Sequence, residues 1–134
     1  MYIPQTPTLL KGTVRLNLRA GLAGISPPAM LEALRAAGAI WATPAALDRK
    51  VGGAGRRLSP SQRWQVLCAR ALLARPAILV LDGPAADGAA LDTLLRALQQ
   101  AGVRTVLLLC DRAPTSAVVD RTVDLEPAVL AAHG

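Results

Sequence analysis

Aromatic residues and histidine are scarce in this sequence. Only 2% of its 134 residues are aromatic, with two Trp, one Tyr and no Phe, so the core has to be built from Ala, Leu and Val. A base-stacking platform needs more rings than this, which argues against nucleic acid as a partner. The single histidine, His133, lies close to the C-terminus, where chain ends fray, and is a poor candidate for a catalytic base.

Long apolar runs and metal-ligand patterns are also missing. No uncharged run reaches the about 18 apolar residues that cross a bilayer, and the opening segment MYIPQTPTLLKG lacks the basic-then-apolar layout of a signal peptide. Cys68 and Cys110 have no metal-ligand spacing and are predicted to be small buried apolar residues in a reduced compartment. These absences predict a cytosolic protein, with docking on a membrane partner left open.

Charge is spread unevenly along the chain. Residues 1–75 carry eleven Lys/Arg against Glu32 and Asp48, a net charge of +9, whereas residues 76–134 carry four Arg against seven acids, a net charge of −3. The basic half could meet an acidic partner or phosphates. A chain that is 52% apolar and 18% charged is typical of a globular domain, and its length suits one domain with a core.

The chain is organised around residues 58–84, LSPSQRWQVLCARALLARPAILVLDGP. Ser59 is a good N-cap residue and Pro60 suits the first helical position, while Pro76 ends the helix. Residues 78–81 are too short for a helix and predict a strand buried on both faces. The apolar stripe predicted for the helix consists of Trp64, Cys68, Ala71 and Leu72.

Elsewhere the pattern predicts alternating strands and helices. The expected elements are a strand end at Tyr2-Ile3, a helix over 27–37 with Met30, Leu31, Leu34 and Ala37 inward, a helix to about Gln100 with Leu91, Leu94, Leu95 and Leu98 inward, a second buried strand over 105–109, a helical turn over 116–120 and a short strand over 122–125. Strand-helix-strand units give parallel sheets with right-handed crossovers. The predicted fold class is therefore α/β.

Residues 58–84 resemble the signature helix and Walker B strand of an exporter-type ATP-binding cassette (ABC) transporter. The family pattern is LSGGQ, a helix containing ARAL, a Pro, four apolar residues and D-E-P. This chain has LSPSQ at 58–62, ARALL at 69–73, Pro76 and ILVLD at 78–82, with no gap in the spacing. The opening MYIPQ and the later GTVRLNL resemble the family's Q-loop, so that the resemblance covers residues 1 to about 126.

The resemblance implies a partial P-loop NTPase fold, a parallel sheet with an α-helical subdomain. The helical subdomain would occupy about 6–57, and the signature helix and Walker B core would occupy 58–134. The implied cofactors are ATP and magnesium. The implied partners are a transmembrane domain and a second nucleotide-binding domain, which would place the chain peripherally on the cytoplasmic face of the membrane.

Several residues match functional positions of the resembled family. Asp82 matches the Walker B aspartate that holds magnesium, although a strand-end Asp could also simply cap the next loop. Gln5 matches the glutamine that reaches magnesium and the attacking water, although on its own it could be a polar loop residue. The nucleotide-contacting signature positions are represented by Ser59, Ser61 and Gln62.

Other positions depart from the family pattern. No GxxxxGK[ST] loop occurs in the 134 residues, and residues 51–57, VGGAGRR, are favoured as the lead-in to the signature over a phosphate cradle. Gly83 stands where the general base should be and has no side chain to take a proton. Asp111 stands at the switch-histidine position, where its charge would repel the γ-phosphate. Asp87 or Ala89 takes the place of the D-loop aspartate.

The signature glycines are also replaced. Pro60 removes a backbone N–H and Ser61 adds bulk where the glycines let N–H groups approach a γ-phosphate. Three function classes compete on this evidence: a fragment of an ATP-hydrolysing motor domain, a non-catalytic cassette half that pairs with a competent partner, and a decayed remnant. A sheet with exposed edges also predicts poor solubility of the chain alone.

Overall fold

The computed structural model describes residues 1–125. Its elements are β1 (Tyr2–Ile3), α1 (Val14–Arg19), α2 (Pro27–Ala36), α3 (Pro60–Ala74), β2 (Ile78–Asp82), α4 (Gly88–Gln100) and β3 (Thr105–Leu109), with 3₁₀ turns at Pro44–Asp48 and Gly53–Gly55. The predicted helices and the three strands up to residue 109 are therefore confirmed. None of the helices in residues 1–125 is long and apolar enough to span a bilayer.

The three strands form one parallel sheet in the order β1-β2-β3. Tyr2 is in register with Val80, and Ile78 is in register with Thr105. The α/β class with a parallel sheet is thus confirmed. Because parallel strands end at the same edge, residues that follow β1, β2 and β3 are brought to one side of the molecule.

One face of the sheet carries the core. Ile3, Leu79 and Leu81 point to this face and are fully buried, while α3 packs against β1, α1, α2 and α4. The predicted apolar stripes are all buried, in α2 with its C-cap (Met30, Leu31, Leu34, Ala37), in α3 (Trp64, Cys68, Ala71, Leu72) and in α4 (Leu91, Leu94, Leu95, Leu98). Helical periodicity in the sequence therefore identified the core correctly.

The opposite face of the sheet is open, which corrects the prediction of strands buried on both faces. Ile78, Leu107 and Leu109 are 54%, 50% and 47% exposed. A parallel sheet is normally covered by helices on both faces, but within residues 1–125 helices cover only the face that carries Leu79 and Leu81. The strands β2 and β3 are thus as apolar as strands that are covered on both faces, although only one of their faces is covered by residues 1–125.

The segment after β3 does not form the predicted elements. Residues 116–120 make no helical turn and residues 122–125 make no strand. Asp92 instead accepts hydrogen bonds from the Ser116 hydroxyl at 2.5 Å and from the Ala117 N–H at 3.2 Å. Side-chain acceptors that satisfy the local backbone compete with a helical turn, and a strand needs a neighbouring strand for its hydrogen bonds. His133 lies outside the described residues.

Candidate functional site

The carboxyl ends of β1 and β2 bring Gln5, Asp82 and Gly83 together. Gly83 follows the last residue of β2 and has φ of +59°, in the left-handed region. A Cβ atom placed on Gly83 would lie 2.9 Å from Gln5 Cγ and 3.2 Å from Gln5 Nε2. The Gln5 side chain therefore packs directly over Gly83, one residue beyond the Asp82 carboxylate.

Tyr2 is a neighbour of Asp82 that sequence reasoning missed. Its phenol donates a hydrogen bond of 2.6 Å to Asp82 Oδ2. The bond follows from the register, because Tyr2 pairs with Val80 and side chains two residues apart on a strand share a face. The bond to Asp82 raises the pKa of Tyr2 above its ordinary value. Composition and motif spacing contain no signal for this pairing, which depends on strand register.

The end of β3 adds a thiol and further carboxylates to the same edge. Cys110 is exposed, in contrast to its predicted burial, because it lies just beyond the last residue of β3. Partial desolvation raises the pKa of the Cys110 thiol, and the negative charges of Asp111, Asp87 and Asp82 raise it further. Cys68 is fully buried in α3 as predicted, and burial strongly raises the pKa of its thiol.

Asp87 holds the start of α4. Its carboxylate accepts from the Gly88 N–H at 2.8 Å and from the Thr115 N–H at 2.9 Å. Asp87 thereby ties the segment after β3 to the N-terminus of α4. Asp111 lies exposed in the segment that follows β3.

The start of α3 holds Ser59 and Gln62 in a capping box. Ser59 Oγ accepts from the Gln62 N–H at 3.1 Å, and Gln62 Oε1 accepts from the Ser59 N–H at 3.0 Å. Pro60 occupies the first turn, and Ser61 is exposed beside it. Each of these two side chains accepts from the backbone N–H of the other residue, and Pro60 offers no N–H to a ligand.

The glycine-rich segment 51–57 packs as a lead-in to α3. The Leu9 N–H donates to the Ala54 carbonyl at 3.3 Å. A Cβ atom on Gly55, which has φ of +82°, would lie 2.9 Å from Arg63 Cδ and 3.2 Å from Leu9 Cβ. The segment thus joins the residues after Gln5 to the first turns of α3. Glycine is required at position 55 because the side chains of Arg63 and Leu9 lie too close for a Cβ atom.

The oxygen donors near Asp82 fit one side of a magnesium–phosphate site. Magnesium prefers oxygen ligands and is commonly held by one or two carboxylates, with waters and substrate phosphates completing the shell. Asp82 supplies a carboxylate, and the Gln5 side chain lies over Gly83, the next residue along the chain. Within residues 1–125, no three His, Cys, Asp or Glu side chains gather as a metal cage, so this edge is not a closed metal site.

The sequence is similar to those of known proteins over nearly its whole length. The chain is 33% identical over 141 residues to the heterocyst differentiation ATP-binding protein HepA of Nostoc sp., covering 98% of this chain and 23% of HepA. It is 34% identical to an ATP-dependent lipid A-core flippase of Chromobacterium violaceum, covering 98% of this chain and 24% of the flippase. No family model matches the chain.

A solved structure agrees in fold and in sequence. A bacterial Atm1-family ABC exporter with ATP bound superposes with a TM-score of 0.69 and 29% identity, over 83% of this chain and 20% of the exporter. The chain is homologous to the nucleotide-binding domains of ABC exporters. It spans about a quarter of the length of the first curated relatives that it matches, and it corresponds to the later part of the cassette.

Among the residues with predicted roles, the structure packs Gln5 on Gly83, the residue that follows Asp82. Asp111 follows β3 at the same edge of the sheet. Ser59 and Gln62 lie at the start of α3, where they form the capping box. The residues with predicted roles therefore form two sets, one at the sheet edge and one at the start of the signature helix.

Proposed function

We propose that this chain is the part of an ABC exporter cassette that runs from the Q-loop through the Walker B strand, and that it does not hydrolyse ATP by itself. The observation that carries the proposal is Gly83. It follows the Walker B carboxylate Asp82, has no side chain to accept a proton, and is covered by Gln5 at 2.9 Å from the position of a Cβ atom. The carboxylate is kept while the base is lost.

The chemistry explains why this loss matters. Phosphoanhydride hydrolysis needs a cradle of N–H groups and a Lys for the phosphates, a carboxylate for magnesium and a residue that orients or deprotonates the attacking water. When bound, magnesium neutralises charge that develops on the phosphate oxygens. The chain's own contribution is Asp82 and Gln5, whereas a GxxxxGK[ST] cradle is absent from its 134 residues.

The signature helix keeps part of its function in this proposal. The N-terminus of α3 retains a helix dipole, which stabilises a nearby anion by about 0.3–1 kcal/mol. Ser59 and Gln62 keep the helix start ordered through the capping box. Pro60 and Ser61 restrict the close approach of a phosphate, which makes this helix a weak contributor to an ATP site shared with an opposing cassette.

The partners follow from the proposed role. A cassette fragment of this kind would work with a transmembrane domain and a second nucleotide-binding domain, with ATP and magnesium as cofactors, at the cytoplasmic face of the membrane. We divide it into a helical-subdomain region at about 6–57 and a signature and Walker B part at 58–134. The second of these parts contains α3, which packs on both α1 and α2. This helix would therefore connect the two parts mechanically.

A non-catalytic cassette half is the second candidate function. It is favoured by the combination of a preserved capping box at Ser59 and Gln62 with the lost base at Gly83. Such a half would help to form a dimer with a competent cassette while leaving hydrolysis to the partner. In this case the chain would be found bound to a second cassette subunit rather than as a free monomer.

Phosphate release from Mg·ATP by the purified chain tests the proposal. We expect no release above that of an Asp82→Asn control, both for the natural chain and for a Gly83→Glu variant, because a restored base does not supply the phosphate cradle. Release by the natural chain that disappears in Asp82→Asn would overturn the proposal. Vanadate trapping on an intact exporter cassette mixed with the chain should likewise stay at the level of that cassette alone.

A further inference from the structure

The Asp82 carboxylate has a partner of its own within the fold. The Tyr2 phenol donates to Oδ2 at 2.6 Å, within the range of short charge-assisted O–H···O⁻ bonds. Tyr2 is the single tyrosine of the chain, and its side chain is 55% exposed. A large part of the Tyr2 ring therefore lies outside the core, and the phenol is anchored through Asp82.

The bond is not needed to pair β1 with β2. The two strands are joined by backbone contacts, in which the Met1 ammonium donates to the Ile78 carbonyl at 2.8 Å and the Val80 N–H donates to the Met1 carbonyl at 2.9 Å. Ile3 is fully buried and anchors β1 in the core. The phenol hydroxyl can thus be removed while the strand register is kept.

The hydroxyl acts on the carboxylate that the proposed function assigns to magnesium. A carboxylate offers about four lone-pair positions, and the Tyr2 bond uses one on Oδ2 and fixes the plane of the group. The aromatic ring also stands on the Oδ2 side. A divalent cation that takes the lone pair of Oδ2 used by Tyr2 must break the phenol bond first.

We propose that Tyr2 is a positioning residue that holds Oδ2 of Asp82 and competes with divalent cations for this carboxylate. The proposal rests on the proposed function, because it takes Asp82 as the carboxylate that binds the metal. It predicts that removing the hydroxyl increases cation affinity. A hydrogen bond to a charged group is strong enough to change a binding constant about tenfold.

The first test measures Mn²⁺ binding to the 134-residue chain by electron paramagnetic resonance, since Mn²⁺ prefers the same oxygen ligands as magnesium. Tyr2→Phe removes only the hydroxyl and keeps the ring. We expect Tyr2→Phe to bind Mn²⁺ about tenfold more tightly than the natural chain. Asp82→Asn should abolish this binding in both backgrounds. Asp48→Asn, which removes an exposed carboxylate paired with Arg15, is the matched control and should change nothing.

The second test reads the phenol directly. Because the chain has one tyrosine, the tyrosine Fermi doublet in its ultraviolet resonance Raman spectrum reports Tyr2 alone. We expect the doublet of a strong hydrogen-bond donor in the natural chain, and a weaker donor both in Asp82→Asn and at saturating Mn²⁺. Circular dichroism and thermal melting should confirm that each variant is folded.

The outcomes separate the two proposals. Equal Mn²⁺ affinities of Tyr2→Phe and the natural chain, or no Mn²⁺ binding by Tyr2→Phe, would overturn the competition by Tyr2 while leaving the loss of the base at Gly83 untouched. Unchanged Mn²⁺ binding in Asp82→Asn would remove the metal role of Asp82 from the proposed function. A doublet that does not respond to Asp82→Asn would show that the Tyr2–Asp82 bond does not form.

Discussion

At the scale of single residues, Gly83 combines two constraints. Its φ of +59° lies in the left-handed region, which costs a residue with a Cβ atom roughly 1–2 kcal/mol. The Gln5 side chain also occupies the space that a Cβ atom on Gly83 would need. Gly88 has the first constraint without the second, since its φ is +54° and a Cβ atom there would have no neighbour within 4 Å.

This pair of glycines allows a direct test. We expect Gly83→Ala and Gly88→Ala each to lower the free energy of unfolding by roughly 1–2 kcal/mol through the backbone, with a larger loss for Gly83→Ala because Gln5 must move. In a Gln5→Ala background the two losses should become equal, as a double-mutant cycle by urea denaturation would measure. Equal losses in the natural background would contradict the packing of Gln5 on Gly83.

At the scale of elements, α3 owes its sharp start to the capping box. Ser59 and Gln62 each satisfy a backbone N–H of the other, which is the reciprocal pattern of a Ser followed three residues later by Gln. Pro60 fits the first turn because its missing N–H would be unsatisfied there in any case. Pro60 and Ser61 are thus compatible with a well-formed helix.

The capping box predicts a pattern of stabilities. Ser59→Ala should lower the free energy of unfolding by about 1 kcal/mol, whereas Gln62→Glu should keep most of it, because Glu serves the same capping position. Ser61→Ala is the matched control, since Ser61 is exposed in the same turn and Ala favours helix. A loss in Ser61→Ala as large as that in Ser59→Ala, measured by chemical denaturation, would argue against the capping box.

At the scale of the whole molecule, the sheet has one face covered by helices and one face that residues 1–125 leave open. Leu81 is fully buried against the helices, whereas Leu107 on the other face is 50% exposed. A contiguous apolar patch that is exposed to water is an aggregation liability. The fold therefore explains why poor solubility of the chain alone is expected, and it locates the cause at the outer face of β2 and β3.

Two leucines from the two faces test this asymmetry. Leu107→Lys should increase the monomer fraction in size-exclusion chromatography and change the free energy of unfolding by less than about 0.5 kcal/mol. Leu81→Ala should cost about 2–5 kcal/mol by leaving a cavity in the core. A loss of stability in Leu107→Lys as large as that in Leu81→Ala would show that this face is covered in solution by another copy of the chain.

Much of this architecture could be predicted because it is local. Periodic apolar residues identified the buried stripes of α2, α3 and α4, and Ser59 with Pro60 marked the start of α3. The segment after residue 110 was predicted wrongly. Asp92, which lies far from it along the chain, accepts hydrogen bonds from the Ser116 hydroxyl and the Ala117 N–H. Secondary-structure propensity, which considers only neighbouring residues in the sequence, does not take such distant hydrogen-bond acceptors into account.

The sequence by itself determined the motif order, the helices, the parallel α/β class and the absence of a side chain at Gly83, since each depends on residue type and spacing. Only the tertiary structure decided that Tyr2 bonds to Asp82, that Gln5 covers Gly83 and that one sheet face is left uncovered by the part of the chain that the structure describes. These depend on strand register and on which helices cover the sheet. Both are set by contacts between residues far apart in the chain.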